Sequence, residues 1–114
     1  MIDEQIFQNL KATMGDVLPI LIDAFKEDGL LLLQDIQNGI KNDDLKQVSV
    51  AAHTLKSSAH NVGATILAGY CTEIETLLAN SEPLDKDQLA ELHKQSVDEM
   101  QRVQESLDIH LAAL

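Results

Sequence analysis

The chain has 114 residues, of which 45% are hydrophobic, 24% charged and 3% aromatic, and its formal net charge at pH 7 is −11. This size and composition indicate one globular domain with an aliphatic core, which favours packed helices and argues against disorder or a need for disulfides. Eight basic residues against nineteen acidic ones exclude a surface built to bind phosphate backbones, so we expect no nucleic-acid partner.

Apolar residues recur at steps of three and four in five segments, which predicts five helices. The predicted bounds are about 2–11, 17–40, 43–61, 64–80 and 86–112. No segment alternates in the way of a half-buried strand. Four long helices joined by short loops predict an all-α fold, an antiparallel four-helix bundle with a short additional N-terminal helix, in a single domain over 1–114.

The helix ends carry capping residues and turn formers. The predicted N-caps are Asp16 for the second helix, Asn42 or Asp43 for the third, and Asp85, in a capping box with Gln88, for the last. The predicted loop before the last helix is Ser81, Glu82 and Pro83.

The apolar stripes predict which side chains face the core. The inward positions include Leu45, Ile66 and Val97, whereas Leu30 and Leu31 fall beside the stripe of the second helix. At least one of these two leucines is therefore expected to be exposed or to be covered by the first helix.

The sequence contains no feature of an exported or membrane-bound chain. Its single cysteine, Cys71, allows no disulfide within the chain, and the N-terminus lacks a basic segment followed by a long apolar run. The longest apolar runs, 17–22 and 30–33, are too short to span a bilayer. We therefore expect a cytoplasmic monomer that has no membrane partner.

One stretch of the third helix combines a buried stripe with an unusual outer face. If residues 53–64 (HTLKSSAHNVGA) are helical, His53 lies about 200° around the helix from the inward Leu55 and points to water. Lys56 and Ser57 are its i+3 and i+4 neighbours on that outer face, and His60 follows almost two turns later.

Several kinds of chemistry can be weighed for this stretch. His53 and His60 are about 10 Å apart along a helix, too far to share a metal ion, and no calcium-binding loop is present. Ser57 and Ser58 lie near His53 but have no nucleophile elbow or oxyanion hole, and no glycine-rich loop could hold ATP. What remains is an exposed imidazole that attacks phosphorus, with Lys56 to balance charge, or a histidine that is simply on the surface.

Residues 53–64 resemble the signature of histidine-containing phosphotransfer (HPt) domains. The similarity extends through Leu67, Cys71, Ile74 and Glu75, and upstream to Phe25, Asp28 and residues 42–45. It implies that His53 accepts a phosphoryl group on Nε2 from a receiver-domain aspartate and passes it to another receiver, with Lys56 beside the phosphate. It also implies that the chain is not an enzyme on its own and needs no cofactor, because magnesium is carried by the partner receiver.

Glu75 is a candidate for orienting the imidazole. Gly63 is the corner between two antiparallel helices, with His53 ten residues before it and Glu75 twelve after it, so the two side chains lie side by side. A carboxylate there could accept the Nδ1–H of His53 and leave Nε2 as the nucleophile, a role that the resemblance also implies for this position. The alternative is one more solvated acid.

The expected partners are receiver domains of response regulators or of a hybrid sensor histidine kinase. Their docking surface should combine Ser49, Ser57 and His60 with His53, Lys56 and apolar residues of the first two helices, with Leu31, Ile6 and Phe7 as candidates. Ser57 stands where the family often has Gly, and His60 where it usually has a small residue, so His60 either contacts the receiver or is merely exposed.

Two other functions stay open at this point: a helical interaction module without relay function, and the phosphorylated substrate domain of a larger histidine kinase. The intact His53, Lys56 and Ser57 argue against the interaction module. A start at Met1 with its own leading helix favours a stand-alone protein over an excised part of a hybrid kinase.

Overall fold

The computed structural model describes residues 2–80 and 83–114, which form an all-α fold. Its helices are α1 (Glu4–Met14), α2 (Leu18–Lys41), α3 (Leu45–Val62), α4 (Thr65–Asn80) and α5 (Lys86–Ala112). One turn of 3₁₀ helix, Gly15–Val17, joins α1 to α2, so the chain is helical almost without a break from Glu4 to Lys41. The predicted antiparallel four-helix bundle is confirmed, whereas the predicted leading helix is not clearly separated from α2.

The four long helices pack as a closed ring, in which α2 contacts α3, α3 contacts α4, α4 contacts α5 and α5 returns to α2. The body is elongated, 48 × 21 × 20 Å. Aliphatic side chains from all four helices fill its centre, among them Ile22, Ile36, Leu55, Ile74 and Leu107, each fully buried. The shorter α1 lies across one end and contributes Phe7 to the same core. In the described part of the chain, no helix is both long and apolar enough to cross a membrane.

The helix starts differ from the predicted caps at two of three places. Asp44, rather than Asn42 or Asp43, caps α3 by accepting from the Gln47 N–H at 3.1 Å. Asp16 caps nothing, because the 3₁₀ turn runs directly into α2 and that helix begins without a side-chain cap. Asp85 accepts from the Gln88 N–H at 3.0 Å and caps α5 as predicted. Of the predicted loop, Ser81 and Glu82 lie outside the described residues.

Three apolar residues predicted to face the core are exposed instead: Leu45, Ile66 and Val97. In α4 the fully buried Leu67 and Cys71 define the inward face, and Ile66 lies one step outside it. Leu30 and Leu31 are both exposed, so α1 covers neither of them. The buried Phe7 cannot contribute to a docking surface, which removes it from the candidates.

The corner between α3 and α4 sets the register of the two helices. Gly63 ends α3 with a φ of 86°, a left-handed conformation that glycine adopts without strain. The Asp3 N–H donates to the Gly63 carbonyl oxygen at 2.7 Å, so the start of α1 is bound to the same corner. α3 and α4 therefore leave Gly63 as an antiparallel pair whose facing side chains are fixed relative to each other.

Candidate functional site

His53 projects from the middle of α3 toward solvent. Its helix is held in place by the fully buried Ala52, Leu55 and Ala59, and His53 is on the opposite side with 65% of its side chain exposed. The buried stripe thus fixes the position of the backbone while the imidazole stays accessible to another macromolecule. This arrangement is the one predicted from the helical period.

Glu75 holds one nitrogen of the His53 ring. Its Oε2 is 3.1 Å from His53 Nδ1, and Glu75 is placed there by the fully buried Ile74, the preceding residue of α4. Because a carboxylate oxygen can only accept, Nδ1 carries the hydrogen in this contact. The lone pair of the neutral ring is therefore on Nε2.

Lys56 is bound to the other oxygen of the same carboxylate. Its Nζ lies 2.7 Å from Glu75 Oε1, and both side chains are about three-quarters covered, with 26% and 24% exposed. Burial acts to raise the pKa of Glu75, but the interactions first with Lys56 and then with His53 outweigh it, so that pKa lies below the ordinary value for a glutamate. Glu75 thus stays ionised at neutral pH and links an imidazole to an ammonium group.

Behind this cluster, Cys71 supplies a buried neutral neighbour one turn before Glu75. Burial, followed by the negative charge of Glu75 and opposed by Lys56, raises the pKa of the Cys71 thiol to about 12. The thiol is therefore protonated at physiological pH and does not act as a nucleophile.

The remaining predicted site residues lie along α3 without joining the cluster. Ser57 and His60 are exposed and Ser49 is half-buried. In the described part of the chain, no hydrogen bond or ion pair connects any of the three to the His53 ring.

His60 and Asn61 form one wall of a shallow groove of about 390 Å³ between α3 and α1. The other wall comes from α1 and consists of Ile6, Asn9, Leu10 and Thr13. The groove has room for a protruding side chain of a partner. It lies one helical turn beyond Lys56, toward the C-terminal end of α3. The α1 residues Asn9, Leu10 and Thr13 were not predicted, because nothing in the periodicity of α1 indicates which helix it contacts.

The other two histidines have internal partners. His93 Nε2 is 3.0 Å from the carbonyl oxygen of Leu33, which connects α5 to α2. His110 is only 16% exposed and contacts oxygens with both ring nitrogens. Among the described residues, no three side chains of metal-binding type lie close enough together to hold an ion.

His53, Lys56 and Glu75 were each predicted as site residues, but the ion pair between Lys56 and Glu75 was not predicted. The helix register contains the information needed to predict it. The antiparallel register that brings Glu75 to His53 also brings it to Lys56, one turn later on the same face of α3.

Two comparisons with known proteins gave matches. The family model described as "Hpt domain" matches residues 20–108. The fold is similar to the crystal structure of histidine-containing phosphotransfer protein B (HptB) from Pseudomonas aeruginosa PAO1, with a TM-score of 0.90 and 26% sequence identity, covering 99% of this chain and 96% of that one. Comparison with curated proteins gave no match.

Proposed function

Because the chain belongs to the Hpt domain family, whose members serve phosphotransfer in two-component signalling, we propose that His53 accepts a phosphoryl group from the aspartate of one receiver domain and passes it to another. The chain is then a phosphorelay intermediate. The observation that carries this proposal is the contact of His53 Nδ1 with Glu75 Oε2 at 3.1 Å, which leaves Nε2 unprotonated on an exposed ring.

In the forward step, the Nε2 lone pair attacks the phosphorus of the aspartyl phosphate. The new bond joins Nε2 to phosphorus, and the bond between phosphorus and the aspartate oxygen breaks with its electrons, which regenerates the receiver carboxylate. His53 keeps its Nδ1 hydrogen and becomes a phosphorylated imidazolium. The positive charge that develops on this ring lies against the Glu75 carboxylate, which stabilises it. Transfer to the next receiver reverses these steps.

Lys56 supplies the positive charge for the phosphoryl oxygens. The ion pair with Glu75 holds its ammonium on the same side of α3 as the His53 ring, so the cation is in place before the partner arrives. Ser57 is small and exposed one turn from His53, which allows the receiver to approach the ring closely.

We assign magnesium and the aspartate pocket to the partner receiver. Metal-assisted phosphoryl transfer requires a cation on the transferring oxygens, and an aspartate site that binds magnesium can provide it. This chain then contributes an aligned imidazole, a second cation and a surface, and its own phosphorylation depends on the partner.

The proposed docking surface surrounds His53 on the outer face of α3. It comprises Ser49, Ser57 and His60, the groove beside α1, and an apolar edge formed by the exposed Leu31 and Val50. Leu32, the neighbour of Leu31 on α2, lines one groove together with Val50 and Ala51 of α3, which places Leu31 near the part of α3 that carries His53. An apolar edge with a polar centre suits the surface of a transient partner.

The proposal is tested by mixing the purified chain with receiver domains of the source genome that have been phosphorylated by a small-molecule phosphodonor and magnesium. We expect the label to pass to this chain as an acid-labile, base-stable phosphoramidate. Retention of the label by every receiver domain would contradict the proposed function.

A further inference from the structure

α1 is bound to the rest of the molecule by a histidine of α5. The His110 ring lies against the buried Phe7 of α1, with ring centroids 4.8 Å apart and planes tilted by 58°. His110 Nε2 is 2.6 Å from Glu4 Oε1 at the start of α1, and its Nδ1 is 2.7 Å from the carbonyl oxygen of Ser106. One ring therefore makes polar contacts with both helices while it packs on Phe7.

The chemistry of these two contacts requires a doubly protonated ring. A backbone carbonyl oxygen and a carboxylate oxygen can only accept hydrogen bonds, so both ring nitrogens must donate. A neutral imidazole has one hydrogen and would turn a lone pair toward one of the two oxygens. The geometry agrees with the pKa of His110, which the Ser106 carbonyl and then Glu4 raise above the ordinary value for histidine, against the effect of burial.

Glu4 is the described residue whose charge lies within ion-pair distance of this ring, and its side chain is 69% exposed. Lys26 of α2 and Asp108 of α5 pair with each other nearby. The other titratable groups on the elements at this end of the bundle include Asp3, which caps α1, Lys11 of α1, Asp16 of the 3₁₀ turn, Asp23 of α2, His60 of α3 and Glu105 of α5. Of these, His60 is also an imidazole, so any test must separate the two histidines.

We propose that His110 and Glu4 form a pH-sensitive latch that holds α1 against α5. Below the raised pKa the ring is an imidazolium and both contacts are made. As pH rises through that pKa, one ring hydrogen is lost, one contact fails, and its contribution to the attachment of α1 disappears. Because α1 forms a wall of the groove beside His60, the latch also controls receiver docking, a consequence that rests on the proposed function.

The latch itself is tested by amide hydrogen exchange at pH 6.0 and 8.5, corrected for intrinsic exchange rates and expressed as protection of α1 relative to α3. In the wild type this ratio should fall roughly 3- to 10-fold at the higher pH, the effect of losing one hydrogen bond of ordinary strength, because solvent around the exposed Glu4 carboxylate weakens its charge. In the Glu4→Gln protein, which keeps an acceptor oxygen but loses the charge, the ratio should change less between the two pH values, and the His110 pKa measured by NMR should fall. A Glu105→Gln control, which removes an acid of α5 without touching the ring, should behave as the wild type.

Equal α1 protection at the two pH values in the wild type would overturn the latch, as would an unchanged His110 pKa in the Glu4→Gln protein.

Docking is tested separately by measuring the KM for a phosphorylated receiver domain at both pH values. The increase in KM with pH should be roughly 3-fold larger in the wild type than in the Glu4→Gln protein, while kcat stays similar. Both proteins retain His60, so the difference between them isolates the latch. Complete absence of transfer would refute the proposed function and leave the exchange result valid, whereas equal KM profiles would refute only the control of docking.

Discussion

The His53→Gln protein should take no label from a phosphorylated receiver domain, while the wild type is labelled. Glutamine occupies a similar volume but has no nucleophilic nitrogen, since its amide lone pair is delocalised. The loss should reflect chemistry rather than folding, because 65% of the His53 side chain is exposed and the buried side of α3 is unchanged. The measurement is transfer of radiolabelled phosphate, with thermal unfolding as the check on structure.

His60→Gln is the matched control for this experiment. It removes a second exposed imidazole from the same helix, 7 residues away, without touching Glu75 or Lys56. It should be labelled to the same final extent, with any change confined to the KM for the receiver. Equal labelling of the His53→Gln protein and the wild type would remove His53 from the proposed mechanism.

Replacing Glu75 with alanine should slow phosphotransfer by about 10- to 100-fold, which corresponds to roughly 1.4–2.7 kcal/mol in the barrier. The substitution frees both nitrogens of the His53 ring to carry the hydrogen, so part of the population holds it on Nε2 and cannot attack. It also releases Lys56 from its 2.7 Å ion pair and removes the charge that stabilises the phosphorylated imidazolium. Single-turnover kinetics with a phosphorylated receiver measure this step directly.

Two further variants separate orientation from charge. Glu75→Gln keeps an oxygen that can accept the Nδ1–H but loses the ion pair with Lys56, so its rate should lie between those of the wild type and the alanine variant. Glu73→Ala removes an exposed acid two residues away on α4 and should leave the rate unchanged. A wild-type rate for the Glu75→Ala protein would show that Glu75 has no role in phosphotransfer and is only a solvated acid.

The contact between His53 and Glu75 could be predicted from two regular features of the sequence, the helical period of α3 and the chain reversal at Gly63. The helical period fixes which side of α3 is buried, and the left-handed Gly63 marks the reversal from which residues on both helices can be counted. Antiparallel helices keep that register over several turns. The same reasoning placed Lys56 on the outer face, although its partner followed only from the structure.

Other features depend on contacts that sequence spacing does not record. Asp44 caps α3 in place of its two polar neighbours because Asn42 is the C-cap of α2 and Asp43 has a left-handed turn conformation between the two helices. Ile66 is apolar and next to the inward stripe of α4, and only the packing of the neighbouring helix shows that it is exposed. Glu4 and His110 meet across almost the whole length of the chain, so no local pattern indicates their contact.

The central claim is that Glu75 directs phosphorylation to Nε2 of His53, and NMR of the phosphorylated chain with ¹⁵N-labelled histidine tests it most directly. We predict one phosphohistidine, at position 53, with the phosphorus bonded to Nε2 and the hydrogen retained on Nδ1. Phosphorus bonded to Nδ1, or to any residue other than His53, would contradict the account.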